Sequence, residues 1–115
     1  MLKTSFRNAR PAQLFDALQD ARNYTLTLFD YYAEAGLDMR DRVPYLPILN
    51  PPLWELAHVA WVSEMYVLRE ATSSNPATAA YPSIFKRGDE WFDSNTVEHR
   101  TRWTLDLPST AEIKT

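Results

Sequence analysis

The stretch NPPLWELAHVAWVSEMYVLRE, from Asn50 to Glu70, decides the fold of this chain. Side chains that recur in it at steps of three and four residues form one helix face, made of Trp54, Ala57, His58, Trp61, Met65 and Leu68. Most other positions are apolar as well, and a helix that is apolar nearly all round is a buried central element. Asn50 is the expected N-cap, with Pro51 and Pro52 in the first turn. We predict that this helix runs to about Ala71.

An earlier helix is predicted from Pro11 to about Ala35. Pro11 suits the first helical position, where a missing N–H costs nothing, and Gly36 supplies the permissive backbone that ends helices. The residues that share its apolar face are Leu14, Ala17, Leu18, Ala21, Thr25, Leu28, Tyr31 and Tyr32. Residues 37 to 49 contain two prolines and are expected to form an ordered connection across the end of a helical bundle.

The C-terminal third combines a loop, an irregular segment and the start of a helix. Residues 72 to 80 are rich in Ser, Thr, Asn and Ala and predict a solvated loop. Residues 81 to 108 show no helical period, but their large aromatic side chains predict a segment packed on the helices: Tyr81, Phe85, Trp91, Phe92 and Trp103. Ser109 and Glu112 match a capping box, which marks a helix start. Because the few residues after Ser109 cannot form a stable helix alone, we expect the chain to be truncated before its later helices.

The composition fits one all-α domain that spans residues 1 to 115. The chain has a formal net charge of -3, two glycines and no cysteine. The scarcity of glycine argues against turn-rich β folds and Gly-rich phosphate loops. The lack of cysteine excludes disulfides and thiolate metal sites, and it fits a cytoplasmic location.

Neither nucleic acid nor a membrane is an expected partner. The basic residues are interleaved with acidic ones, whereas nucleic-acid binding needs a clustered surplus of Lys and Arg. The opening MLKTSFRNAR is basic but has no apolar core behind it, so we expect no secretory signal there. The most apolar stretch, Leu53 to Leu68, contains polar residues and falls short of the ~20 apolar residues that cross a bilayer.

Two interpretations of His58 stay open when the residues are considered alone. An imidazole on a buried helix face either finds a hydrogen-bond partner or binds a ligand, and a satisfied core histidine is the interpretation we favour. No second histidine lies three or four positions away, as in common zinc motifs. A mixed site with Glu55 or Glu64 is the weaker alternative.

Two arginines near the other histidine, His99, also allow two interpretations. Arg100 and Arg102 have the side chain that binds carboxylates in a bidentate manner. They can equally pair on the surface with the nearby acidic residues Asp93, Glu98 and Asp106.

Two segments carry a family resemblance. The stretch Asn50 to Glu70 and the stretch GDEWFDSNTVEHRTRWTLDLPS, from Gly88 to Ser109, resemble the N-terminal DinB-like domain of ergothioneine-sulfoxide-synthase-like non-haem iron enzymes. The selenoneine-synthase-like branch is the most similar, and the specific motifs are P-x-x-W-x-L-x-H and D-S-x-x-V-x-H-x-x-R-W. The resemblance implies an up-down four-helix bundle that carries a three-histidine iron site. It further implies oxygen-dependent joining of sulfur or selenium to a trimethylhistidine-type imidazole.

The resemblance also assigns roles to individual residues. His58 matches the first iron ligand, while the other two ligands belong to an H-x-x-x-H pair on a later helix that this chain lacks. Arg100 and Arg102 lie where family members hold the carboxylates of the thiol substrate, and His99 has no assigned role. The catalytic tyrosine belongs to a C-terminal domain that is absent here. We therefore expect no catalytic residue in this chain, and Fe(II) and a small-molecule substrate only in the full-length context.

Two functions remain as hypotheses. The first is the N-terminal bundle segment of such an iron enzyme, which contributes one ligand and is not catalytic by itself. The second is a helical interaction module that binds no metal. In both cases two helices alone cannot bury their apolar faces, so we predict a homodimer that rebuilds a four-helix core around a twofold axis.

Overall fold

A computed structural model describes residues 6–115 of the chain, and within that range every regular element is a helix. The α-helices are α1 (Pro11–Glu34), α2 (Pro52–Ser63), α3 (Gly88–Trp91) and α4 (Thr110–Lys114). Short 3-10 helices occupy Phe6–Asn8, Arg40–Arg42, Pro76–Thr78 and His99–Trp103, and a π-helical turn, Glu64–Leu68, extends α2. The predicted all-α fold is confirmed. The prediction that no secretory signal opens the chain falls in part on residues 1–5, which lie outside the described residues.

Helix α1 has the predicted bounds but buries little of its surface. It begins at Pro11, and Gly36 follows its end with a φ of +77°, the left-handed conformation that glycine adopts at little cost. Within α1, all of which the structure describes, only Phe29 is buried. Leu26 and Ala33 are half-buried beside it. The predicted apolar face, from Leu14 to Tyr32, is therefore largely open to solvent.

Helix α2 begins one residue later than a cap at Asn50 would require, so that prediction was wrong. Pro51 is the N-cap residue and has extended backbone angles, because the ring of Pro52 disfavours a helical conformation in the residue before it. The Asn50 side chain instead donates to Glu55 and accepts a hydrogen bond from Arg102 at 2.9 Å. Asn50 thus joins two distant parts of the chain.

One face of α2 and its π-helical extension forms the centre of the core. The buried apolar residues are Phe29, Leu53, Trp54, Ala57, Trp61, Met65, Phe92 and Ile113. On the opposite side Val59, Tyr66 and Val67 are exposed. The prediction that α2 is buried all round was therefore wrong for the described chain, since no described element covers that side.

The irregular segment packs on α2 as predicted. Phe92 is fully buried, and Phe85, Trp91 and Trp103 are partly buried, whereas Tyr81 stays exposed. The capping box is also confirmed, because the Ser109 backbone N–H donates to Glu112 at 2.7 Å and Glu112 N–H donates to the Ser109 hydroxyl at 3.3 Å. Tertiary contacts hold the short α4 in place.

An ion-pair cluster fastens the same segment to the end of α2. The buried Arg69 donates to both carboxylate oxygens of Asp89, at 2.6 and 2.9 Å, and lies 3.4 Å from Glu64. It also donates to the carbonyl of Tyr81, while the Trp61 indole N–H donates to Asp89. Nearly every polar group that is buried here has a partner, which fixes the position of α3.

The molecule exposes more surface than a compact protein of its mass. Its accessible surface is 8416 Å², whereas a compact monomer of 13.3 kDa exposes about 6,450 Å². Its radius of gyration is 15.7 Å, against about 13 Å for a compact domain of this length. Within residues 6–115, none of the helices combines the length and apolarity that crossing a lipid bilayer requires.

Candidate functional site

His58 lies in the middle of α2 with one ring nitrogen committed to a protein partner. Its Nδ1 is 2.7 Å from the backbone carbonyl oxygen of Phe92. A carbonyl oxygen only accepts hydrogen bonds, so this contact places the ring proton on Nδ1. In the neutral imidazole this leaves the lone pair on Nε2, where a metal or a proton donor can bind.

Two tryptophans fix the plane of the His58 ring. Trp54 stacks on it with ring centres 4.7 Å apart and planes 13° apart, and Trp61 lies at 6.4 Å and 21°. The Trp54 indole N–H donates to the carbonyl of Trp91 at 2.8 Å. Trp54 was missed as a site residue, although its position four residues before His58 on a helix is the signal that predicts such a stack.

The described residues supply at most part of a metal site. No group of three or more His, Cys, Asp or Glu side chains within residues 6–115 is arranged to hold a metal ion. Three protein ligands are the usual set for non-haem Fe(II). The tautomer and the fixed ring plane of His58 suit it to act as one metal ligand.

Arg102 is buried and packs against the Trp54 ring. Its guanidinium lies 4.1 Å from the centre of the Trp54 ring system, and it donates to Asn50 at 2.9 Å. It also donates to the carbonyls of Ser94 and Val97, each at 3.3 Å. Burial lowers the pKa of Arg102, and its buried Nε has no hydrogen-bond partner among the described residues. Arg102 therefore holds the 94–97 turn and the ring that stacks on His58.

Arg100 has an open environment that differs from that of Arg102. Its guanidinium lies 4.2 Å above the ring of Tyr45, at a cleft of about 390 Å³. The cleft is lined by Arg40, Asp41, Val43, Tyr45, Arg100, Trp103 and Thr104. Among the described residues neither Arg100 nor Arg102 forms an ion pair, so the surface pairs with Asp93, Glu98 and Asp106 do not occur there.

His99 and Arg40 join the arginine segment to the connection between α1 and α2. The His99 Nε2 donates to the carbonyl of Leu49, and its ring packs against Tyr45 and Trp103. Arg40 donates to the carbonyls of Arg102 and Leu105, and burial lowers its pKa. The sequence pattern did not indicate Arg40, because its partners are backbone atoms more than sixty residues away.

Comparison with known proteins relates the chain to one group of enzymes. No family model matches the chain. Hercynine oxygenase from Mycolicibacterium thermoresistibile is 37% identical over 103 residues, which cover 90% of this chain and 21% of that protein. Hercynine oxygenase from Mycolicibacterium smegmatis is 30% identical over 95 residues, 83% of this chain and 19% of that protein. The chain thus spans about a fifth of the length of the curated relatives it matches, and over that part it is related to hercynine oxygenases.

Proposed function

We propose that this chain is a bundle segment of an iron-dependent enzyme similar to the hercynine oxygenases and that His58 is one of its iron ligands. The observation that carries the proposal is the contact between His58 Nδ1 and the Phe92 carbonyl, which leaves Nε2 free. A metal-binding histidine almost always donates its other ring N–H in this way. The similarity to two hercynine oxygenases supports the iron context.

The surrounding residues prepare the imidazole for that role. The Phe92 carbonyl selects the tautomer, while Trp54 and Trp61 hold the ring plane. When bound, iron in such an enzyme activates oxygen for joining sulfur or selenium to carbon, as the family resemblance implies. In this proposal the chain contributes one ligand and is not catalytic by itself, because non-haem Fe(II) usually takes three protein ligands.

The two arginines take different roles in this proposal. The exposed Arg100 lies beside a cleft and is placed to receive a carboxylate of a small-molecule substrate. Arg102 donates hydrogen bonds to Asn50 and two backbone carbonyls and packs on Trp54. It therefore acts as a positioning residue for Trp54 and thereby for His58. The cytoplasmic location stays a prediction.

The coding sequence after Thr115 gives the first test. An in-frame helix with an H-x-x-x-H pair supplies the two further imidazoles and supports the proposal. A reading frame that stops there contradicts it and favours the interaction module.

Iron analysis of the polypeptide that this reading frame encodes gives the second test. After anaerobic loading with Fe(II), we expect His58→Ala to reduce bound iron to background. His99→Ala is the matched control, because it removes the other histidine of this chain and is expected to retain iron. Circular dichroism confirms that both variants fold. Retention of iron in a folded His58→Ala variant contradicts the assignment.

A helical interaction module that binds no metal is the second candidate function. One observation favours it, namely the large apolar surface that α1 and the outer side of α2 expose. In that function Nε2 of His58 binds nothing, and both histidine variants leave the partner affinity unchanged. The iron measurement therefore separates the two functions.

A further inference from the structure

We propose that two copies of this chain associate through α1, which packs antiparallel against α1 of the second copy. The surface concerned is defined here as the α1 seam: Leu14, Leu18, Ala21, Thr25, Leu28 and Tyr32. This inference does not depend on the proposed iron site, because His58 is not among the residues that line the groove beside the seam.

The exposed area beside the seam is of the size that a stable dimer needs. The large apolar residues on this side of α1 are exposed to 41% (Leu14), 70% (Leu18), 66% (Tyr24), 41% (Leu28), 65% (Tyr31) and 49% (Tyr32). Together they leave on the order of 650 Å² uncovered, which lies within the roughly 600–1,000 Å² that each partner buries in a standard interface. A patch of this size exceeds what monomers usually expose.

The spacing of the seam is that of a helix that packs along another helix. Its members follow one another at steps of 4, 3, 4, 3 and 4 residues. That alternation places every member in the first or fourth position of a seven-residue repeat, the pattern of knobs-into-holes packing. The residues that α1 packs against its own chain, Phe29 and Ala33, lie on a neighbouring side of the helix.

The residue sizes favour an antiparallel second copy of the same helix. If the twofold axis passes beside residue 23, Leu14 faces Tyr32 of the second copy, Leu18 faces Leu28, and Ala21 faces Thr25. Large residues then meet large ones at the ends, and small ones meet at the centre, where the two backbones come closest. A twofold interface needs such a self-complementary surface.

The charge pattern and the neighbouring groove fit the same arrangement. The seam contains no charged residue, and its outer flank has Tyr24 and Tyr31, so a second copy meets no like charge there. Beside the seam lies an open groove of about 480 Å³ with a nearly all-apolar lining that includes Leu28, Tyr32 and, from α2, Leu56 and Val59. In the antiparallel arrangement Leu14 and Leu18 of the second copy enter this groove.

Sedimentation equilibrium of the 115-residue chain tests the association. We expect a dimer at micromolar concentration, and we expect Leu18→Glu to raise the dissociation constant about tenfold or more. Ile84→Glu is the matched control, since Ile84 is 73% exposed, as Leu18 is 70% exposed, but lies outside the seam. A monomeric wild type overturns the proposal, and so does a dimer that Ile84→Glu weakens and Leu18→Glu leaves intact.

Disulfide trapping tests the orientation, because the chain has no cysteine of its own. A mixture of Leu18→Cys and Leu28→Cys chains is expected to form a cross-linked heterodimer under mild oxidation. In the antiparallel arrangement the two copies of position 18 lie about 15 Å apart along the helix axis, beyond the reach of a disulfide. Efficient cross-linking between two Leu18→Cys chains, with no cross-link between positions 18 and 28 in the mixture, indicates parallel packing and overturns the proposal. These cysteine variants are conservative at exposed positions and keep the test valid if Leu18→Glu fails to fold.

Discussion

Arg100 and Arg102 are identical side chains two residues apart, but their surroundings give them different burial and different contacts. Arg102 is 8% exposed, donates to Asn50 and two carbonyls, and lies on Trp54. Arg100 is exposed, and its guanidinium lies over the face of the Tyr45 ring. The first is part of the folded core, and the second is free to contact a ligand.

Replacement of these two arginines by glutamine is expected to have unequal effects on stability. Arg102→Gln leaves buried acceptors without their charged donor and uncovers Trp54, so it should lower the free energy of unfolding by about 2–3 kcal/mol. Arg100→Gln alters an exposed side chain and should change it by less than about 0.5 kcal/mol. Urea denaturation followed by tryptophan fluorescence measures both. A loss of less than about 0.5 kcal/mol for Arg102→Gln would show that Arg102 is not a structural residue.

The histidines illustrate which part of the site the sequence could indicate. Helical spacing placed His58 one turn after Trp54, and this local relation appears in the structure as a stack. The contact that determines its tautomer comes from Phe92, which is 34 residues away and follows an irregular path. Because no periodic pattern reports such a contact, the residues alone left the core and ligand interpretations of His58 open.

At the scale of elements, one ion pair connects the end of α2 with α3. Arg69 follows the π-helical turn and reaches Asp89 in the first turn of α3 with two hydrogen bonds. These bonds, together with the one from Trp61, hold the pKa of Asp89 below its ordinary value of 3.8. The contact between the two helices therefore depends on a charged Asp89.

The stability of this contact is expected to depend on pH in the acid range. Between the lowered pKa of Asp89 and 3.8, the unfolded chain binds a proton that the folded chain does not. The stabilisation is thus complete above about pH 4 and is lost as the pH falls through the lowered pKa. Asp89→Asn should cost about 1 kcal/mol at neutral pH, a modest figure because the carboxylate is partly exposed.

Acid titration of the unfolding free energy checks this expectation. The gap between wild type and Asp89→Asn should narrow as the pH falls below about 4. Glu90→Gln is the control, since it breaks the exposed pair with Arg87 and leaves the Arg69 contact in place. A gap that stays constant down to low pH would mean that Asp89 is not the titrating group.

Elements defined by neighbours in the chain were predictable, and those defined by distant contacts were not. Pro11 and Gly36 mark the ends of α1, and the capping box at Ser109 marks α4, because each acts within a few residues. Asparagine is a residue type that favours N-cap positions, but the side chain of Asn50 forms hydrogen bonds with Glu55 and Arg102 instead. The residues next to Asn50 in the chain do not indicate that the buried Arg102 donates to its side chain.

At the scale of the whole molecule, the accessible surface is larger than that of a compact monomer of the same mass. The excess of accessible surface over a compact monomer is about 2,000 Å², and much of the exposed apolar part lies along α1. In the dimer that we propose, a second copy on the α1 seam covers part of this surface and turns two helices per chain into a four-helix core.

Thermal unfolding is expected to depend on chain concentration if the two copies associate. Mass action stabilises a folded dimer, so Tm should rise with concentration over about a hundredfold range. Leu18→Glu should show a lower Tm with little concentration dependence, whereas Ile84→Glu should keep the dependence of the wild type. Differential scanning calorimetry at several concentrations measures this, and a constant Tm of the wild type argues against association.

The amino-acid sequence by itself determined the helical class, the bounds of α1, the capping box of α4 and the apolar seam. These features follow from periodicity and from contacts between residues close in the chain, which the order of residues specifies directly. Only the tertiary structure decided that Arg102 is a core residue, that Asn50 is not a cap, and that Phe92 sets the tautomer of His58. Each of these depends on backbone carbonyls or side chains that meet across tens of residues through an irregular segment, where no repeat connects position in the sequence with position in space.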